Sequence, residues 1–274
     1  MTAPYIRRPW RSQPPGMAVV DPDSILYPGI ESVFLGSLTA GEVNGVTTTQ
    51  VPNLAASNSW GGNGVPIASS TAYGFGPLLA STIYYSIGAG TTSPWTLAAI
   101  IQPVGAVLAS VDWIGVAQSA GSGTHDRSIS TFSNGHWAGY LYDSNAEYAD
   151  SGITPVVGRP DLIVVWTTGS VLGINVNGTE ATKTVISTGA GYSGSLFLSD
   201  GTNNPANSFI CPLCIRSLIA WDANQRSAFI NNPWQVFTPQ VRRTWIQGPA
   251  AAPYLPFQWW HDAGGGSMGA VLAQ

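Results

Sequence analysis

Charge is scarce in this sequence. Only 9% of its 274 residues are charged, with 10 Lys+Arg against 14 Asp+Glu, and Lys183 is the single lysine. An average soluble domain has about 25% charged residues. The shortage excludes disordered charged chains, and it excludes coiled coils and helical bundles, which need faces rich in Glu, Lys and Leu. The net charge of −4 also argues against a protein that binds nucleic acid by counterion release.

Cysteine is nearly absent. Cys211 and Cys214 form a C-x-x-C pair, a spacing found in redox sites and in half of a zinc site. A zinc site requires about four ligands, and neither a second C-x-x-C nor suitably spaced histidines accompany this pair. The segment Phe209-Ile-Cys-Pro-Leu-Cys-Ile therefore predicts a hydrophobic strand with two small buried thiols.

Long apolar runs are missing as well. The N-terminal segment Met1–Trp10 lacks the apolar stretch of about 7–15 residues that a signal peptide needs. The uncharged segment 94–111 approaches the length of a membrane span, but Gln102, Pro103 and Gly105 interrupt it. We therefore predict neither an export signal nor a membrane helix.

Glycine, proline and aromatic residues fill the gap, with 32 Gly, 20 Pro, 11 Trp and 10 Tyr. Short apolar runs are bounded by turn residues about every 8–12 positions, which is typical of an all-β sandwich or barrel. Thr168-Gly169 and Asn177-Gly178 indicate hairpin turns, and a turn is preferred to a glycosylated Asn177-Gly-Thr sequon because no export signal is predicted. The predicted strands are residues 30–38, 71–76, 82–87, 94–101, 106–110, 113–118, 127–132, 136–142, 161–167, 170–176, 181–186, 194–199 and 209–220.

One short helix is predicted over residues 223–231. Asp222 can cap its N-terminus, and Gln225 follows at the spacing of a capping box. The run Asn231-Asn232-Pro233 ends it.

The ends of the chain differ from its middle in charge. Residues 21–238 contain 13 of the 14 acids but only five of the 10 basic residues, and the other five lie outside that range. The first 20 residues also contain four prolines. The sequence therefore predicts an extended N-terminal anchoring arm over 1–24, a sandwich over 25–238 and a C-terminal tail over 239–274.

Arginine and tryptophan occur together at both ends. Five arginines could hold the phosphates of a nucleic acid, or they could bind another protein subunit. Protein docking is the preferred interpretation, because protein interfaces are enriched in Trp and Arg and depleted in Lys. The predicted anchoring residues are Arg7, Arg8, Trp10, Arg11, Arg242, Arg243 and Trp245.

Several segments resemble a known family. Pro94-Trp-Thr-Leu-Ala-Ala-Ile-Ile-Gln-Pro, the hairpin from Gly158 to Gly178, and Cys214-Ile-Arg-Ser-Leu-Ile-Ala-Trp are similar to strands of laminin-G/concanavalin A-like jelly rolls, and the Asp222 helix resembles the helix that follows them. Pro160-Asp161-Leu162 replaces the histidines of the family hairpin. The resemblance implies an all-β, LamG-type jelly-roll sandwich with one short helix between extended arms.

A narrower resemblance concerns the two edges of this region. Arg8-Pro-Trp-Arg-Ser-Gln-Pro-Pro-Gly and Ile230-Asn-Asn-Pro-Trp-Gln-Val-Phe-Thr-Pro resemble the opening and the ending of jelly-roll proteins from tailed bacteriophages. This resemblance implies a component of a phage virion.

The sequence offers no strong catalytic pattern. A glycosidase needs two carboxylates about 5–9.5 Å apart, whereas the densest acids, Asp143, Glu147 and Asp150, are predicted in a solvated loop. The chain also lacks the Glu-x-Asp-x-x-Glu motif of jelly-roll glucanases and the Gly-x-Ser-x-Gly elbow. We therefore expect a protein that is not an enzyme and has no cofactor, with Asp143 and Asp200 as weak candidates for binding calcium.

Four aromatic residues are candidates for a glycan site. Trp113, Trp137, Tyr140 and Tyr142 could cover the faces of sugar rings, although aromatics of a sandwich are more often part of its core. Strand alternation predicts that Trp137 and Tyr140 point to opposite faces.

These features together predict a non-enzymatic structural protein of a bacteriophage virion. It would decorate the capsid or form part of a head or tail fibre, made in the host bacterial cytoplasm and assembled as an oligomer with capsid or tail subunits. Nucleic acid and membrane are not expected partners. The alternative is a carbohydrate-binding adhesion module that recognises glycans of the host surface.

Overall fold

The chain forms two compact units, one of residues 9–239 and one of residues 1–8 with 240–274. The predicted N-terminal boundary at residue 24 thus differs from the boundary in the structure. The computed structural model describes residues 5–8, 11–14, 18–38, 50–63, 67–80, 83–88, 94–117, 125–143, 145–185, 194–199, 208–238, 240–243, 257–260 and 269–272.

The strands are, in chain order, β1 (Tyr5–Arg8), β2 (Ile30–Leu35), β3 (Gln50–Pro52), β4 (Ser59–Asn63), β5 (Ile67–Thr71), β6 (Gly74–Leu79), β7 (Tyr84–Gly88), β8 (Trp95–Pro103), β9 (Val111–Ala117), β10 (His125–Thr131), β11 (Trp137–Asp143), β12 (Asn145–Asp150), β13 (Asp161–Thr167), β14 (Val171–Val176), β15 (Thr179–Thr184), β16 (Ser195–Leu198), β17 (Phe209–Ser217), β18 (Gln240–Arg243), β19 (Phe257–Trp260) and β20 (Gly269–Leu272). The helix α1 spans Ala223–Asn231, and short 3-10 turns cover Gly36–Leu38 and Pro233–Val236.

Two antiparallel sheets make up the larger unit. Sheet I has the order β12-β11-β10-β9-β16-β7-β4-β3, and sheet II has the order β15-β14-β13-β8-β17-β6-β5, with β2 also paired to β17. Neighbouring strands are often distant in the sequence, as where β16 lies between β7 and β9. The predicted all-β sandwich of jelly-roll type with one short helix is confirmed. In the smaller unit, β1 pairs with β18 and β19 pairs with β20.

Sheet II is buried on both faces. Along β13, Ile163 and Val165 pack into the core between the sheets, while Leu162, Val164 and Trp166 pack into a second core on the other side. Every residue of β13 and of β17 is buried. Strands covered on both faces read as continuous apolar runs, which is why sequence reasoning located them accurately.

The second core is formed by the ends of the sandwich unit. Leu26 precedes β2, Phe229 lies on α1, and Trp234 and Phe237 follow the helix, and all four are buried against sheet II. The helix has the predicted bounds and the predicted capping box between Asp222 and Gln225. Of the elements described here, α1 contacts β13 of sheet II.

Some strand predictions were wrong. Residues 106–110 are a loop, because β8 continues to Pro103 and β9 begins at Val111. Strands β3, β4, β5 and β12 were missed. Segments such as Ser59–Asn63 and Asn145–Asp150 are rich in Gly, Ala, Asn and Ser, which have low β-propensity, and cross-strand pairing imposes their conformation.

A buried carboxylate joins the two sheets. Asp161 of β13 is fully buried, and it accepts hydrogen bonds from the Trp137 indole N–H of sheet I at 2.9 Å and from the Asn177 amide at 2.7 Å. The exposed Arg159 side chain donates to the same carboxylate at 3.2 Å. Asn177 and Gly178 have φ values of 53° and 95°, so the predicted hairpin turn is confirmed. These partners satisfy a charge that burial alone would destabilise.

Trp166 lies directly against a glycine on the outer side of sheet II. A Cβ atom at Gly173 would approach Trp166 Cζ2 to 2.1 Å, so only glycine leaves room for the indole ring. The guanidinium of Arg226 lies 3.9 Å from the centroid of this ring and binds Glu180 through two nitrogens. Through these contacts with Trp166 and Glu180, Arg226 attaches α1 to sheet II.

We expect Gly173→Ala to destabilise the fold by about 1–3 kcal/mol, because the added methyl group must displace a packed ring. Denaturant unfolding measures the change. Gly88→Ala is the matched control, since no atom lies within 4 Å of a Cβ at that strand position. Equal stability of the two variants would contradict this packing.

The two cysteines lie in the core, as predicted. Cys211 and Cys214 are fully buried on β17 as free thiols. Burial raises the pKa of Cys214 to about 12, and it raises the pKa of Cys211 well above its ordinary value, with a further contribution from Cys214.

Because the reactive species is the thiolate, neither thiol should react with iodoacetamide in the native protein at pH 8. After unfolding in guanidinium chloride, mass spectrometry should show both thiols alkylated. Rapid alkylation of either cysteine under native conditions would contradict their burial.

Candidate functional site

The outer face of sheet I, the side away from the core, carries the polar and aromatic side chains of its strands. On β11, Trp137 and Leu141 are buried in the core, so the alternating residues Tyr140 and Tyr142 point outward. Cross-strand pairing extends this alternation. Tyr148 of β12 stands opposite Tyr140, which stands opposite Ser128 of β10.

Four aromatic rings form a continuous series on this face. The centroids of Phe132 and Tyr148 lie 4.6 Å apart, those of Tyr148 and Tyr140 4.9 Å, and those of Tyr140 and Tyr142 6.5 Å. We call Phe132, Tyr148, Tyr140 and Tyr142 the aromatic ladder. All four side chains are half-buried, so each ring leaves part of its surface accessible to solvent.

A polar row crosses the sheet beside the ladder. Asp112 of β9 pairs in register with Ser130 of β10, Ser130 with Ala138 of β11, and Ala138 with Asp150 of β12. A register shift between Ile129 and Ser130 marks a bulge in this region. With strands about 4.8 Å apart, the two Cα positions at the ends of the row are about 14 Å apart.

Asp112 is held by two hydroxyl groups. The side chains of Ser128 and Ser130 both donate hydrogen bonds to its Oδ1 atom, and their own oxygens lie 2.6 Å apart. Burial raises the pKa of Tyr148, and the negative charge of Asp112 raises it further. Alternation along β9 and the cross-strand register place Asp112 on the same side of sheet I as the aromatic ladder.

Asp150 is held by a second set of donors. Its carboxylate accepts from the Asn134 amide at 2.7 Å and from the Gly152 backbone N–H at 2.8 Å, and it lies 3.1 Å from Nδ1 of His136. Partial burial alone would raise the pKa of Asp150, but these hydrogen bonds and the nearby imidazole lower it below its ordinary value.

Because the pKa of Asp150 is lower in the folded state, its carboxylate stabilises the fold at pH values above the unfolded-state pKa of about 3.9. This stabilisation disappears as the pH falls through the folded-state pKa. We expect Asp150→Asn to reduce the free energy of unfolding at pH 7, and the difference from wild type to shrink towards pH 3. Urea unfolding at both pH values measures this. An NMR titration that placed the pKa of Asp150 above that of an unfolded aspartate would contradict the arrangement.

The predicted acidic loop is instead a β-hairpin. Glu147 and Asp150 lie on β12 at positions of opposite parity, so they point to opposite faces. Glu147 forms an ion pair with Lys183 of sheet II. Asp143 pairs with Asn145 at the hairpin turn. Within the described ranges, no group of three or more His, Cys, Asp or Glu side chains is arranged to hold a metal ion.

Two of the predicted glycan-binding residues are not on the surface. Trp113 and Trp137 are 0% exposed and pack against each other in the core, so they cannot stack on a sugar. Tyr140 and Tyr142 do lie on the outer face. Sequence reasoning missed Phe132, Tyr148 and Asp112. The alternation of Tyr148 with Ala149 on β12 was a signal that could have indicated Tyr148.

The predicted anchoring residues are only partly described. Arg7 and Arg8 lie on β1, and Arg242 and Arg243 lie on its partner strand β18. Arg11 is exposed. Trp10, Trp245 and the calcium candidate Asp200 lie outside the described residues. No helix in the described part of the chain is long and apolar enough to cross a membrane.

Comparison with solved structures identifies proteins that share this fold. Domain 4 of AbnA, a GH43 extracellular arabinanase from Geobacillus stearothermophilus, in complex with arabinotriose, matches with a TM-score of 0.53 and 13% identity, over 61% of this chain and 82% of that one. A Trypanosoma rangeli sialidase in complex with the inhibitor DANA matches with a TM-score of 0.54 and 9% identity, over 73% of this chain and 32% of that one. A mutant of that sialidase displaying trans-sialidase activity matches with a TM-score of 0.50 and 12% identity, over 77% of this chain and 34% of that one. No family model and no curated protein matches the chain.

At these identities the likeness shows the fold alone. It supports the jelly-roll-like sandwich and not the phage origin that the sequence resemblance implies. The expectation that the chain is not an enzyme is corrected, because its structural neighbours are taken from an arabinanase and from sialidases. The fold is a jelly-roll-like β-sandwich similar to parts of an arabinanase and of a sialidase.

Proposed function

We propose that this chain is a carbohydrate-recognition domain and that the outer face of sheet I binds the glycan. The observation that carries the proposal is the aromatic ladder beside the polar row. Sugar-binding surfaces need apolar rings to cover the C–H faces of a sugar and polar groups to bind its hydroxyls. Both kinds of group meet at Tyr140, Tyr148 and Asp112.

The fold supplies a rigid support for such a surface. Phe132 directly follows β10, and the other three rings project from β11 and β12, which pair in register over six positions from Ala138 to Asp143. Sites built on strands are positioned more accurately than sites on loops. Cross-strand contact between Tyr140 and Tyr148 orients both rings before a ligand arrives, which lowers the entropy cost of binding.

The structural neighbours support the same assignment. The matching arabinanase domain is in complex with arabinotriose, and the matching sialidase is in complex with DANA, an inhibitor. A carbohydrate-active role agrees with both. The chain covers 32% of the sialidase, so the likeness concerns a part of that enzyme.

We expect Tyr140→Ala and Tyr148→Ala to weaken glycan binding about tenfold or more each, which corresponds to about 1.4 kcal/mol. A glycan array identifies a bound oligosaccharide, and isothermal titration calorimetry then measures the Kd of each variant. Tyr27→Ala, which removes a tyrosine that is 43% exposed elsewhere, is the matched control. Unchanged affinity in both ladder variants, or failure of the wild type to bind any glycan, would refute the proposal.

A second candidate is a component of a phage virion, for which the edge motifs at Arg8 and Ile230 provide the resemblance. The structural observation in its favour is the pairing of β1 with β18, which groups the two ends of the chain in a unit of their own. Such a unit could attach the sandwich to capsid or tail subunits. The two proposals are compatible, since a virion protein can also adhere to host glycans.

Deletion of residues 1–8 and 240–274 tests this second role. The sandwich should remain folded, because residues 9–239 form a compact unit with their own cores. Incorporation into particles of a phage that encodes the chain should be lost, as measured by gel analysis of purified virions. Normal incorporation of the truncated chain would exclude anchoring by the ends.

A further inference from the structure

We infer that the outer face of sheet I binds an extended run of linked sugar residues and is not a site for a single terminal sugar. The inference rests on the proposed function and names the form of glycan that the same surface takes. Two observations on the aromatic ladder carry it. Two of its rings lie along the surface of the sheet, and its apolar surface is divided among four side chains.

Phe132 and Tyr148 reach towards each other across β11. Phe132 directly follows β10 and Tyr148 belongs to β12, so one strand separates them and they lie about 10 Å apart across the sheet. Their ring centroids are nevertheless only 4.6 Å apart. Ala138 is the β11 residue between them, and it is 0% exposed although it alternates to the outer face. The two rings therefore lie over Ala138 and along the sheet.

The apolar surface of the ladder is divided among its rings. Tyr148 contacts Phe132 on one side and Tyr140 on the other, with centroids 4.6 and 4.9 Å away. All four rings are half-buried, so no single ring presents its whole surface to a ligand. A monosaccharide on one ring would cover little apolar area, and the free energy of apolar contact is proportional to that area. A chain of sugars that follows the series contacts all four rings.

The shape of the surface leads to the same conclusion. Sites for small single ligands are concave and bury most of the ligand surface. Rings that lie along a sheet contact a sugar from one side only, so each sugar residue contributes a small part of the binding free energy. Linked residues add their contacts, because the first one bound holds the next at a high effective concentration. Affinity should therefore increase with chain length.

The series also has a middle and two ends. Tyr140 and Tyr148 are the middle rings, whereas Phe132 and Tyr142 each contact the series from one side. A short oligosaccharide has enough contact on the middle rings alone. A long one also covers the end rings, so the end rings should contribute to the affinity for long chains only.

The test uses the full chain and linear oligosaccharides of glucans, xylans, mannans, galactans, arabinans and rhamnans, each from the monosaccharide to the hexasaccharide. An array identifies the series that bind, and isothermal titration calorimetry measures the Kd at each length. We expect the affinity to increase by at least about twentyfold from the monosaccharide to the hexasaccharide. Such a gain exceeds the statistical advantage of repeated sugar units.

Phe132→Ala and Tyr142→Ala each remove one end of the series. Both should weaken binding of the hexasaccharide about fivefold or more and leave the shortest oligosaccharide with a measurable Kd within about twofold of wild type. Phe75→Ala is the matched control, since it removes a phenyl ring that is 53% exposed on β6 of sheet II. If an end variant does not fold, the length dependence of the wild type decides alone.

The outcomes separate the two proposals. Equal affinity for a monosaccharide and its hexasaccharide overturns the extended mode of binding and leaves carbohydrate recognition in place. End variants that weaken the shortest measurable oligosaccharide as much as the hexasaccharide also overturn it. Absence of binding to every oligosaccharide overturns the proposed function itself.

Discussion

Burial of sheet II on both faces is the constraint that determines the rest of this structure. The core between the sheets covers one face, and α1 with the segments around Leu26 and Trp234 covers the other. Sheet I shares only the first of these cores. The side chains that alternate outward from β10, β11 and β12 are small or polar residues and tyrosines. Ser128, Ser130 and Ala138 are buried there, whereas the three tyrosines are half-buried and Asp150 is exposed.

The carboxylate of Asp161 connects this constraint to the candidate site. It binds the indole N–H of Trp137 across the core and so fixes which residues of β11 face inward. A slip of one residue in this register would bury Tyr140 and Tyr142 and expose Trp137. The buried carboxylate of Asp161 thus contributes to the position of the aromatic ladder, although Asp161 lies on sheet II and the ladder lies on sheet I.

Sequence reasoning recovered the parts of the fold that local patterns encode. The helix over 223–231 follows from Asp222 and Gln225, and the buried strand with Cys211 and Cys214 follows from a continuous apolar run. The aromatic ladder could not be predicted in the same way. Tyr148 meets Phe132 and Tyr140 only through pairing of β12, a strand of low β-propensity that the sequence presents as an acidic loop.

The few charged residues of the sandwich unit occupy distinct places in this arrangement. With 10 basic residues in the whole chain, the sandwich unit places its few cations inside the core, on the sheet II side or in pairs with acids. On the outer face of sheet I, Asp112 accepts hydrogen bonds from Ser128 and Ser130, and Asp150 lies against Asn134, the Gly152 N–H and His136. The proposed glycan binding rests on the tyrosine rings that this face presents beside its polar groups.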